Sequence, residues 1–133
     1  MFFGLASEHR AGELAYAVME GVAFAMADGY AALRRAGTTL DDASFIGGGS
    51  KSAFWAQLCA NATGLAMHRH ASGAVGAARL ARLAATRDAL DDVCVAPAIA
   101  ETYRPDPAAT GLLGERLERY RRLYRALKAE FAG

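Results

Sequence analysis

The stretch Phe45-Ile46-Gly47-Gly48-Gly49-Ser50-Lys51-Ser52 holds the residue types best suited to gripping an anion. Three glycines between a strand pattern and a helix pattern let the backbone approach a ligand and turn N–H groups toward it. The start of the following helix adds a partial positive charge. Lys51 falls in the first helical turn, where the dipole disfavours a cation unless an anion balances it. The loop is not of the Walker A type, because Ser50 stands where the glycine before lysine belongs and Phe45 where the first glycine belongs. A phosphate or nucleotide site and a glycine turn without a ligand both remain open on residue chemistry alone.

Other polar residues carry less. His68 and His70, two apart on a strand, share one face, yet no third ligand stands at metal spacing and no zinc site is expected. Ser7, Glu8 and His9 form no triad, and Ser7 reads as a turn cap. Glu20 and Asp28 interrupt an apolar helix and read as hydrogen-bonded structural carboxylates. Arg116, Arg119, Arg121, Arg122, Arg125 and Lys128 face Glu115, Glu118 and Glu130 on the last helix, which reads as a solvated face.

The positioning elements follow from periodicity. Residues 11–36 read as one helix, with apolar positions from Leu14 to Leu33 at spacings of three and four, Arg34 and Arg35 in its last turn and Gly37 as stop. Residues 43–46 form a strand, 51–63 a helix with Ser50 as N-cap and Gly64 as stop, and 65–69 a second strand. That is a βαβ unit, which makes the two strands parallel neighbours with a right-handed crossover. Residues 74–85 read as an alanine-rich helix. Residues 88–110, with three prolines, read as an irregular connector holding one short turn. The last helix spans 112–131, with one stripe from Leu113 through Leu117, Tyr120, Tyr124 and Leu127 to Phe131. Two strands are too few for such apolar helices, so the pattern predicts the back half of a larger α/β domain, or a chain that oligomerises.

The 133 residues are 53% apolar and 22% charged with a net charge of +1. This excludes a disordered tail and leaves no basic field for nucleic acid. Glu20 and Asp28 inside the longest apolar stretch argue for a buried helix of a soluble protein over a membrane span, and the N-terminus has no signal-peptide pattern. Cys59 and Cys94 read as reduced, buried thiols, as in a cytoplasmic protein.

Four segments in order carry a resemblance. Ile46-Gly-Gly-Gly-Ser-Lys-Ser-Ala-Phe-Trp-Ala-Gln57 resembles the G-G-G-x-R/K-S-x-x-W-x-Q segment of FGGY-type carbohydrate kinases, in their xylulokinase branch. Ala17-Val-Met-Glu-Gly-Val-Ala-Phe24 resembles their A-V-x-E-G-V-A-F helix. Gly73-Ala-Val-Gly-Ala-Ala-Arg-Leu-Ala81 is similar to their A-L-G-A-A-x-L-A helix, and Arg121-Arg-Leu-Tyr124 to their C-terminal Y-x-x-L-Y ending.

The resemblance implies a helix-rich α/β chain, the C-terminal part of an actin-like, ribonuclease-H-like ATPase domain. Residues 1–133 would be the C-terminal portion of the kinase's C-terminal domain, without its catalytic N-terminal lobe. It further implies Gly47, Gly48 and Gly49 at the α-phosphate and ribose of ATP, Ser52 toward the adenine, Ser50 and Lys51 beside them, and Trp55 packed under the loop. A valine at Gly48 is then expected to weaken ATP binding. Magnesium and the sugar would be held mainly by the missing part, and the partner would be that N-terminal lobe or a second copy. No catalytic residue is assigned. The D-x-G-T phosphate loop, the second phosphate loop and the catalytic aspartate of in-line phosphoryl transfer have no counterpart here. The loop before the alanine-rich helix shrinks to Ala71-Ser72-Gly73. The expected function is part of an ATP-dependent pentulose kinase, inactive alone. The alternatives are a non-catalytic remnant serving dimerisation and a free-standing nucleotide sensor.

Overall fold

The computed structural model describes residues 2–71 and 75–131. Ser72, Gly73 and Ala74, which include most of the shortened loop and the expected first residue of the alanine-rich helix, lie outside the described residues. The chain is helix-rich α/β. It runs through α1 (Ala11–Arg35), β1 (Asp42–Phe45), α2 (Ala53–Thr63), β2 (Ala66–His70), α3 (Val75–Ala85), α4 (Leu90–Val93), β3 (Ile99–Tyr103) and α5 (Pro107–Leu127).

β1 and β2 pair in parallel, with Ser44 opposite His68 and Phe45 opposite Arg69. α2 forms the crossover, as the spacing of apolar runs predicts. The connector reading of 88–110 is corrected: it contains α4 and a third strand, β3, which joins the far edge of β2 antiparallel. β3 is exposed at four of its five residues. It is recruited by backbone hydrogen bonds to an open edge, so hydrophobic periodicity gives no sign of it.

The last helix starts five residues earlier than expected. Pro107 stands at its first turn, and the Asp106 carboxylate accepts the Ala109 N–H at 2.8 Å. A proline whose missing N–H would be unsatisfied anyway starts a helix there; read as a breaker, it hides the boundary.

The core lies where α1, α2 and α5 meet one face of the sheet. Ala23, Phe24 and Ala27 of α1, Ala56, Cys59 and Ala60 of α2, and Leu113 and Leu117 of α5 are buried with Phe45 and Met67. The small residues on α1 and α2 allow these helices to approach closely. Burial pushes the Cys59 thiol up to about 11, which leaves it protonated and inert. Cys94, expected to be buried, is exposed.

The two carboxylates inside α1 turn to α5. Arg116 Nη2 donates to Glu20 Oε2 at 2.9 Å, and Arg121 Nε to Asp28 Oδ1 at 2.6 Å. Arg121 also binds Glu118. Burial raises the Glu20 carboxyl above its ordinary range, with Arg116 acting against the shift.

α2 is capped by Ser52, not by Ser50 as the sequence suggests. Ser52 Oγ accepts the Trp55 N–H at 3.2 Å, whereas Ser50 belongs to a 3₁₀ turn over Gly48–Lys51 that precedes the helix. Gly64 ends α2 in the left-handed conformation at φ 73°, as expected of a glycine stop. Ser52→Ala is expected to lower stability by about 1 kcal/mol, read from the urea unfolding midpoint. An equal loss from Ser50→Ala would reverse this assignment.

Candidate functional site

The glycine loop leaves β1 at its carboxyl end, beside the end of β2. Loops at the carboxyl ends of parallel strands face the same side, where open α/β sheets bind ligands. Here they enclose a cavity of about 300 Å³. Ile46, Gly47, Gly48, Ser50 and Lys51 form one wall, and Arg69, His70 and Ala71 the other.

Each glycine has a separate reason to be small. Gly47 has φ 93° and ψ −175°, a conformation essentially closed to residues with a Cβ. Ser50 holds the turn closed: its N–H and its Oγ–H both donate to Gly47 O, at 3.1 and 2.7 Å. At Gly49 a Cβ would lie 3.0 Å from Trp55 Cδ1, so the loop rests on the indole, as the resemblance implies. Gly48 has nothing within 4 Å of where its Cβ would be. The open space is therefore at Gly48, while backbone strain against substitution is concentrated at Gly47. Gly49 and Ser52 are absent from the cavity wall and serve instead to fix the loop on α2.

The sequence does not place Arg69 or His70 at the glycine loop, and it weighs His70 only as a metal ligand. The signal was the parallel pairing itself, which brings the end of β2 beside the loop after β1. Arg69 grips Glu101 of β3 through Nη2–Oε1 at 2.9 Å and Nε–Oε2 at 3.2 Å. Hydrogen bonding from Arg69 holds the Glu101 carboxyl below its ordinary range. The Arg69 charge is thus largely committed within the fold, and Lys51 is the cation on the opposite wall.

His68 and His70 share a sheet face, as their spacing requires, but they are engaged separately. His70 Nε2 lies 2.9 Å from Ser44 Oγ. His68 Nδ1 lies 2.9 Å from Thr102 Oγ1 and its Nε2 3.3 Å from Asp42 Oδ2. Among the described residues no three His, Cys, Asp or Glu side chains gather where they could hold a metal ion. No described helix is long and apolar enough to cross a membrane.

A larger groove of about 520 Å³ runs between α1 and α5, past Asp28, Arg35, Arg121 and Tyr124. Its central charge, Arg121, is already bonded to Asp28 and Glu118. That seam joins two helices and lacks the backbone exposure of the glycine loop.

Residues 1–85 match the sequence model of the FGGY family of carbohydrate kinases, C-terminal domain. The xylulose kinase of Escherichia coli K12 is 36% identical over 132 residues, which is 96% of this chain and 27% of that protein. A crystal structure of a xyloylose kinase from Brucella ovis superposes with a TM-score of 0.85 at 38% identity, covering 97% of this chain and 28% of the other. The gluconate kinase of Lactobacillus acidophilus superposes with a TM-score of 0.80 at 28% identity, over 99% and 28% of the two chains. The chain therefore spans about a quarter of the length of the relatives it matches. By sequence over most of its length and by fold throughout, the chain belongs to the FGGY family of carbohydrate kinases, through their C-terminal domain.

Proposed function

We propose that this chain forms part of the ATP site of a sugar kinase that phosphorylates a pentulose such as xylulose. The observation that carries the reading is the cavity at the carboxyl ends of the parallel pair. There Gly48 leaves open space beside a backbone fixed by Gly47 and Ser50, with Lys51 on the rim. Those groups fit a nucleotide: a glycine backbone can lie flat against it, and a lysine can meet its phosphate charge. The pentulose is preferred over other sugars because the curated relatives are xylulose kinases, although a gluconate kinase shares the fold.

In this reading the C-terminal portion of an actin-like ATPase domain binds and orients the nucleotide. Gly47 and Gly48 present backbone to it, Gly49 and Trp55 hold the loop rigid, and Lys51 contributes positive charge. ATP supplies the γ-phosphoryl group, with magnesium neutralising its developing charge. Magnesium, the sugar and the aspartate that takes the sugar hydroxyl's proton are assigned to the portion of the kinase that precedes this chain.

Assayed alone with Mg-ATP and xylulose, residues 1–133 are expected to release no ADP above background. Sugar-dependent turnover by the purified chain would overturn this division of labour.

A further inference from the structure

His68 and His70 lie on the sheet face opposite the buried Met67, but only His70 reaches the cavity with a nitrogen unused. His68 is held at both ring nitrogens, by Thr102 and by Asp42. His70 ends β2 and forms part of the wall that faces the glycine loop. Its Nε2 lies 2.9 Å from Ser44 Oγ, and its Nδ1 is buried without a hydrogen-bond partner among the described residues. A buried polar atom left unpaired costs free energy and calls for a partner. The charges around the ring are of one sign. Lys51 stands on the opposite wall and Arg69, tied to Glu101 of β3, beside it. Asp42, at the far end of β1, is held to His68. Among the described residues no carboxylate lines the cavity.

We propose that His70 is a further nucleotide-binding residue, and that it binds in its protonated form. The proposal rests on the reading of the cavity as an ATP site and adds a residue to it. Imidazole is the one side chain that ordinarily changes charge between about pH 5 and pH 8. Ser44 Oγ can accept the Nε2–H whether the ring is neutral or charged, so the ring keeps its place as it takes up a proton. Protonation puts a second N–H at Nδ1. With no anion beside it, that N–H stays buried and unpaired, and Lys51 and Arg69 repel the new charge. A nucleotide supplies both an acceptor and the opposite charge, so its binding draws a proton onto the ring. ATP affinity therefore rises as pH falls through the imidazole range and levels off above it.

The test is calorimetric titration of Mg-ATP into the intact kinase, without sugar, at about pH 6 and about pH 8. Affinity is expected to be at least about threefold higher at the lower pH, the effect of one partly screened charge near the nucleotide. Near neutral pH the binding heat should depend on the ionisation enthalpy of the buffer, which counts the proton taken up. His70→Gln keeps a donor for Ser44 but cannot become charged. It should lose both the pH gain and the buffer dependence while melting like the parent, and His70→Asn serves the same comparison if glutamine disturbs the strand. Lys51→Met should weaken binding by a similar factor at both pH values, since lysine stays charged throughout. A pH gain that persists unchanged in His70→Gln, or no proton uptake by the parent, would overturn the role of His70 and leave the ATP site standing. A parent that binds no ATP at either pH would overturn the site itself, and this proposal with it.

Discussion

Gly47→Val is expected to weaken ATP binding by the intact kinase at least about tenfold, the conversion of a lost 1.4 kcal/mol. The reason is conformational before it is steric. At φ 93° and ψ −175° a β-branched residue would carry about 1–3 kcal/mol of backbone strain or more. The loop relieves that strain by turning over, which breaks both bonds from Ser50 to Gly47 O. The backbone that lines the cavity then no longer faces it. Calorimetric titration of ATP reads the effect directly, with melting temperature as the check on folding. Gly48→Val is the useful comparison: it meets no protein atom, so any loss there reports the nucleotide itself. Unchanged ATP affinity in both variants would remove the loop from the site.

Phe24→Ala is expected to cost about 3–5 kcal/mol of stability. Phe24 is 3% exposed and tilts against Tyr120 with ring centroids 5.6 Å apart. It fills the junction of α1 and α5, and the alanines that surround it on α1 and α2 are too short to collapse into the space it would leave. A single domain has only about 5–15 kcal/mol of stability, so the variant should unfold at or near room temperature. Thermal unfolding followed by circular dichroism measures it. Leu112→Ala, at a position 58% exposed on α5, should stay within about 0.5 kcal/mol of the parent. A Phe24→Ala midpoint within a degree of the parent would mean that α1 and α5 do not share a core.

The sequence made the helices and the parallel pair legible because both rest on local signals. α1 shows its apolar spacing and its terminal arginines, β1 is a short run closed by glycines, and β2 follows the glycine stop of α2. β3 escaped because Glu101 and Thr102 give it no apolar face, and its place is set by the edge of β2, a partner distant in sequence. The glycine loop was legible as a candidate site, but the division of labour within it was not. Three consecutive glycines look alike in sequence, and only the φ angle of Gly47 and the indole beneath Gly49 separate them. Arg69 and His70 were likewise hidden, since their nearness to the loop follows from strand register.

The bonds from Arg116 to Glu20 and from Arg121 to Asp28 join residues 96 and 93 positions apart. Loops of that span close slowly, and on the ribosome they cannot close at all until α5 has emerged. Until then Glu20 lacks Arg116 and Phe24 lacks Tyr120, so the side of α1 that meets α5 stays hydrated even after α2 is available to pack on its other side. A chain cut short before Arg116 would therefore leave Glu20 without its ion-pair partner and Phe24 without its aromatic neighbour, uncovering the side of α1 that α5 closes.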